Sequence, residues 1–298
     1  MSEKLLACSS RPVTSTPPVV PVRDTSGSAM LLTLLSMSCI QFGAALSGQA
    51  IDAYGSLSVT AWRLVWAALV MTLVVRPAFS RFSRAHWLAA GGLGLAMAGM
   101  TLCFFGAIER IPLGLDVAIE FLGPLTVATF GARRGRALVW PFVAAAGVLM
   151  LSRNGAGWIG EPLGMALAFG AGIGWGSYIL LMKKVGAMFA GLEGLSVSLI
   201  FAAAVAVPFG FAQSGMHVAP QELVLTAGLA LLVPLLPYAL EMTTLRRLPA
   251  SSFGLLMSVE PAIGALAGFI VLGQPLGVLQ LGGMFLVVSA SIGNVLTS

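Results

Sequence analysis

Apolar runs of roughly 18–22 residues recur along this chain from Ala29 onward, the length an α-helix needs to cross a hydrocarbon layer. The spans read as 29–50, 57–75, 86–107, 113–132 and 138–152, then 162–182, 193–212, 220–242, 251–272 and 276–296. The runs are continuous, without two-residue alternation, which argues against a transmembrane β-barrel. Composition agrees: 58% of residues are apolar and 9% charged, with mean hydropathy +0.96. A soluble domain cannot solvate such a surface. The expected fold class is an all-α integral membrane protein of ten transmembrane helices, arranged as two inverted five-helix repeats.

Residues 1–28 differ in kind, being rich in Pro, Ser and Thr with no periodic apolar face, and read as a disordered cytoplasmic tail. A cleaved signal peptide is the rival, but the segment ahead of the first apolar run is long for one. The two repeats then occupy 29–152 and 162–296.

Basic residues test the count. With a cytoplasmic N-terminus, ten spans put thirteen of the sixteen Lys and Arg on the cytoplasmic face, leaving Arg110 and Arg153 opposite and Arg63 inside a span. The positive-inside rule therefore favours both termini in the cytoplasm. It also explains the pI of 9.6 without a nucleic-acid partner.

The segment RIPLGLDVAIEFLGP (110–124) aligns with RLPASSFGLLMSVEP (247–261) at one offset. Arg110, Pro112 and Pro124 match Arg247, Pro249 and Pro261, and the same offset pairs Gln41 with Tyr178. An odd number of spans per half inverts the second copy, the plan of many secondary transporters, whose sites lie near the midplane. Chance matching of prolines in apolar helices is the bland alternative.

Glu120 and Glu260 fall near mid-depth of their spans. A charged group there costs about 2.5–3.5 kcal/mol on insertion scales, so such residues normally face inward and serve function. The competing reading is a protonated carboxyl that fixes a neighbouring helix. Pro124 and Pro261 break backbone bonds to the carbonyls of Glu120 and Met257, leaving acceptors beside a carboxyl, although kinks also arise for packing alone. Asp116 shares the face of Glu120 one turn nearer the periplasmic end, and functional or snorkelling readings both fit. Arg63 suits a structural ion pair with Glu120 or Asp116, or a planar fork for a substrate carboxylate. Glu241, near a cytoplasmic helix end, reads as facing water. Gln41, Trp175, Ser177, Tyr178 and Ser258 can line a cavity or simply pack helices.

The glycines of 164–176, like Gly264 and Gly268, read as sites of close helix approach. No GKS or GKT follows a glycine loop, so ATP is not the expected energy source. Cys8, Cys39 and Cys103 lack metal or disulfide spacing, and two histidines, His86 and His217, offer little for catalysis. No cofactor and no metal are implied, and the chain does not read as an enzyme.

VTAWRL (59–64), VAIEFLGPLTVATF (117–130), GWGSYIL (174–180), PYALEM (237–242) and RLPASSFGLLMSVEPAIGALAG (247–268) together resemble the EamA group of the drug/metabolite transporter superfamily. The likeness is greatest to bacterial threonine/homoserine exporters. It implies export of small amino acids or related metabolites across the inner membrane, against proton entry, with an uncoupled facilitator or channel as the alternative. It carries over Arg63, Glu120, Pro124, Tyr178, Glu241, Glu260 and Pro261 as matching positions; taken with the intramembrane polar residues Gln41, Trp175 and Ser258, the set expected around the substrate is Glu120, Glu260, Arg63, Gln41, Tyr178, Trp175 and Ser258. Glu120 and Glu260 would couple to protons, and Pro124 and Pro261 would break their helices. GQPL (273–276) departs from the superfamily pattern, with Gln274 where a glutamate is frequent. The implied partners are a small-molecule substrate, protons and membrane lipid; a homodimer is an assembly open to such a chain.

Overall fold

A computed structural model describes residues 25–131, 138–154, 157–215, 219–245, 257 and 259–297. Most of the expected tail therefore lies outside the described residues. The described chain is helical apart from a small antiparallel hairpin that pairs Arg153 with Trp158 and Asn154 with Gly157.

The helices are α1 (Thr25–Leu46), α2 (Gly48–Tyr54), α3 (Ser56–Val75), α4 (Arg84–Ile108), α5 (Leu113–Glu120), α6 (Leu122–Gly131) and α7 (Trp140–Leu151). They continue as α8 (Pro162–Met188), α9 (Glu193–Ser214), α10 (Pro220–Ala230), α11 (Leu236–Leu245), α12 (Glu260–Leu272) and α13 (Val278–Thr297). Five segments are long and apolar enough to cross a membrane: α3, α4, α8, α9 and the run Leu223–Thr244. A sixth is the α1–α2 pair, bent by 42° about Ser47. The remaining apolar helices are shorter or interrupted.

Each interruption has a local cause. Pro124 has no N–H to donate to the carbonyl of Glu120, and the helix breaks one residue after Glu120, at Phe121. Between α10 and α11, Val233 is extended (φ −149°, ψ 118°) ahead of Pro234 across a cis peptide bond. Pro261 lies in the first turn of α12, where a missing N–H is harmless. It thus stands at the start of the described helix rather than in the middle of one; residues 251–256 and 258 lie outside the described residues.

The bundle is built across the two sequence halves. α4 packs along α8 and α9, α3 along α9, and α7 along α13. α1 lies against α11 and α12, α5 against α8 and α12, α6 against α8, and α10 against α3. Near the centre, Gly123 of α6 meets Gly172 of α8 backbone to backbone; a methyl on Gly123 would overlap the Gly172 carbonyl. Small residues at such points replace the hydrophobic drive that lipid does not supply.

Burial is inside-out relative to a water-soluble protein. Phe142, Ile173, Phe285 and Val278 are largely exposed, whereas Arg63, Asp116, Glu120, Glu241, Glu260 and Gln41 are buried. Apolar side chains outside and ionisable ones within suit a lipid surround.

Candidate functional site

Enclosed by α1, α4, α5, α8, α11, α12 and the break at Val233 is a cavity of about 490 Å³, counting the space open to its mouth. Its floor and walls include Met100, Phe104, Phe105, Trp175 and Ile40, with Thr101, Glu120, Tyr178, Tyr238, Glu241 and Glu260 as the polar lining.

Three carboxyl groups thus converge from three helices. Glu260, at the start of α12, accepts a hydrogen bond from Gln41 Nε2 of α1 at 3.1 Å, and its other oxygen has no partner among the described residues. Glu241 of α11 accepts from Tyr178 OH at 3.1 Å and from Ser36 Oγ at 3.2 Å. The Glu120 carboxyl, at the end of α5, has no hydrogen-bond partner among the described residues and faces the cavity. Glu120, Glu241 and Glu260 lie within electrostatic reach of one another. Among the described residues, no lysine, arginine or histidine forms an ion pair with any of them.

Aromatic rings set the shape. Tyr178 and Tyr238 lie with centroids 5.3 Å apart, and Trp175 meets Phe121 edge to face at 6.1 Å. The ring of Phe121 is thereby held at the break that ends α5, next to Glu120. Thr101 Oγ1 bonds the Met97 carbonyl at 2.7 Å and lies 3.4 Å from Tyr238 OH.

The sequence-derived set is only partly gathered here. Glu120, Glu260, Tyr178 and Trp175 line the cavity, and Gln41 holds Glu260 from behind. Ser258 lies outside the described residues. Pro124 lies just beyond the break after Glu120, and Pro261 directly follows Glu260.

Arg63 stands one layer outside the lining. Its Nε donates to the Val233 carbonyl at 2.9 Å, its Nη1 to Ser47 Oγ at 3.0 Å, and its guanidinium rests 4.4 Å from the centre of the Phe105 ring. Among the described residues it forms no ion pair, so the expected partnership with Glu120 or Asp116 is not made. The reason is geometric: a helix broken at Val233 offers a bare carbonyl closer than either carboxyl.

Asp116 does not snorkel. It is fully buried, and both its oxygens lack hydrogen-bond partners among the described residues. Glu241 does not face water either: it is 3% exposed and lines the cavity. The resemblance places Glu241 on a matching position, whereas Tyr238, Thr101 and Ser36, which complete its polar constellation, were passed over by sequence reasoning. A usable signal existed, since Tyr238 and Glu241 are three residues apart and share a helical face. Gln274 has a neutral role: its Oε1 accepts from the N–H of Leu113 at 3.2 Å, capping the free start of α5 from the other half of the chain.

Comparison with known proteins fits this geometry. The model of the EamA-like transporter family matches residues 162–296. The threonine/homoserine exporter RhtA of Salmonella typhimurium strain LT2 is 38% identical over 270 residues, covering 90% of this chain and 91% of that one. RhtA of Escherichia coli K12 is 37% identical over the same shares of each chain. A protein crystal structure at 16% identity matches with TM-score 0.64, over 90% of this chain and 96% of the other, so the fold is a known one. Both RhtA relatives are exporters, and the likeness runs through both halves of the chain. The chain is a membrane transporter and belongs to the EamA-like transporter family.

Proposed function

We propose that this chain is a secondary exporter of small amino acids of the threonine or homoserine kind, or of related metabolites, in the bacterial inner membrane, exchanging them for protons. The observation that carries the reading is the cavity itself: three carboxyl groups and a set of hydroxyls, with no cationic partner among the described residues, at the meeting of α1, α5, α8, α11 and α12. Such a lining offers acceptors to a substrate ammonium, the group that every amino acid carries into a membrane. Keeping charged groups at that depth costs about 2.5–3.5 kcal/mol each, an expense a merely structural bundle would shed.

The reading includes ten crossings in two inverted halves, with both termini cytoplasmic. Its support is the symmetry of the packing. When each span is exchanged with the span five places away, α4 on α8 becomes α11 on α1, and α4 on α9 becomes α10 on α3. The contacts of α5 and α6 with α8 become that of α12 with α1, while α3–α9, α5–α12 and α7–α13 map onto themselves. Five spans in each half give the inversion.

Within this reading, Glu120 and Glu260 are the groups that alternate between proton and substrate ammonium, with Tyr178, Trp175 and Gln41 shaping the site. One carboxyl serving both ligands in turn couples their opposite movements. The test is efflux of labelled threonine and homoserine from proteoliposomes with and without an imposed pH gradient. The native chain should respond to the gradient, and Glu120→Gln, which keeps the shape of the carboxyl but cannot ionise, should lose the response. Equal flux with and without the gradient in the native chain would instead establish the uncoupled facilitator. No flux for any amino acid or related metabolite tested would end the reading.

A further inference from the structure

Arg63 makes contacts that neither the cavity nor the packing of α3 requires. It lies seven residues into α3, about 10 Å along the helix at the standard rise, and is 1% exposed. Among the described residues, nothing anionic pairs with it. Its two bonded nitrogens go instead to two places where other helices are interrupted. One is the carbonyl of Val233, set free by the extended residue between α10 and α11. The other is the hydroxyl of Ser47, the single residue between α1 and α2, which in turn bonds the Gly43 carbonyl at 2.6 Å. The two breaks also touch each other: a methyl on Gly43 would come within 2.7 Å of Val233 Cγ2. On its third side, the guanidinium backs the Phe105 ring. Phe105 and Val233 are both cavity walls.

We propose that Arg63 is a releasable latch: by pinning the break at Val233 to the break at Ser47, it holds shut the end of the cavity walled by Phe105 and Val233. The proposal rests on the reading of the chain as a transporter, and it makes Arg63 a positioning residue rather than a substrate ligand. The chemistry of its partners makes the latch releasable. A buried ion pair is hard to part because each charge is left alone, whereas a carbonyl and a hydroxyl are neutral and readily rebonded. Nη2 is buried without a partner among the described residues, so the guanidinium is held there by two hydrogen bonds and one ring face, with one donor group unused. Both anchor points are where hinges belong, because an interrupted helix absorbs a change of φ and ψ that an intact one resists. When the cavity opens at this end, α10 and the bent α1–α2 pair separate, and the Arg63 bonds to Val233 and Ser47 part.

Site-directed labelling tests this without a substrate. In a chain with Cys8, Cys39 and Cys103 replaced by serine, Thr101→Cys places one thiol in the cavity. Its reaction with a membrane-impermeant maleimide is timed from each face, in intact cells and in inside-out vesicles. Losing a hydrogen bond to a charged group shifts an equilibrium by about tenfold or more, so Arg63→Lys, which cannot span both acceptors, should speed labelling from the α2 face about tenfold. Ser47→Ala removes one arm only and should speed it by less, about threefold, with Val233 still held. Threonine affinity should stay within about twofold in both variants, since neither residue touches the cavity. Unchanged labelling in both variants overturns the latch. Unchanged labelling with a large loss of threonine affinity in Arg63→Lys would make Arg63 a substrate ligand instead. If Arg63→Lys does not fold, Ser47→Ala decides alone. If the native chain binds no amino acid, the amino-acid reading of its substrate fails, while the labelling rates still judge the latch.

Discussion

Replacing Gln41 by leucine isolates one polar contact between α1 and α12. Gln41 is 1% exposed and Glu260 2%, and the only bond either side chain makes among the described residues is the one between them, at 3.1 Å. Each group also carries a buried oxygen without a partner. In Gln41→Leu, the carboxyl loses its last donor, a penalty of about 1–3 kcal/mol for a buried unsatisfied group. The unpartnered Gln41 oxygen disappears with the same change, so the net loss should settle at about 1–2 kcal/mol. Glu260→Leu should behave similarly, stranding the Gln41 amide. The double variant Gln41→Leu/Glu260→Leu removes both polar groups together, and matched apolar replacements are close to neutral. A double-mutant cycle on unfolding in detergent micelles should therefore show a coupling of about 1–2 kcal/mol, with the double variant at least as stable as either single one. Threonine efflux should be lost from the double variant despite its stability, because Glu260 is gone. Additive losses, with coupling below about 0.3–0.5 kcal/mol, would refute the argument that these two side chains satisfy each other.

Two further outcomes are expected. Reporter fusions after Ser298 and in the 154–161 loop should lie on opposite sides of the membrane, and finding both on one side would end the ten-crossing reading. Gln274→Leu should cost about 1 kcal/mol by uncapping α5, while Gln274→Glu should retain or improve stability, because an anion at a helix start meets the positive end of the dipole; thermal unfolding of the three chains checks the order.

Much of the helical plan was legible because lipid imposes length and apolarity on a segment before packing selects its neighbours. The cut after Glu120 was legible too, since Pro124 removes a donor at a known distance. The break at Val233 is not legible from Pro234 alone, and two further departures descend from it. Without that break, Arg63 appeared to need a carboxylate, when a freed carbonyl stood nearer. And α11 appeared as the end of one long helix, which put Glu241 near water, when it begins afresh at Leu236 and turns Tyr238 and Glu241 toward the cavity. Asp116 escaped for a different reason: its depth depends on how α5 is buried between α8 and α12, which no local pattern records. Hydropathy locates a segment in the membrane; it does not say which neighbour covers each face.

The cross-half packing of α3 on α9, α4 on α8 and α7 on α13 bears on how the protein is made. Each of these first-half helices leaves the ribosome well before the helix that will cover it. Until α8 and α9 are synthesised, the faces of α3 and α4 destined for them are in contact with lipid or with an insertion chaperone. The polar groups Arg63 and Asp116 are then held in the membrane ahead of the partners that bury them. Assembly therefore cannot proceed one half at a time. It must be a late, concerted docking, and a chain truncated after α7 should be a substrate for membrane quality control rather than a half-sized transporter.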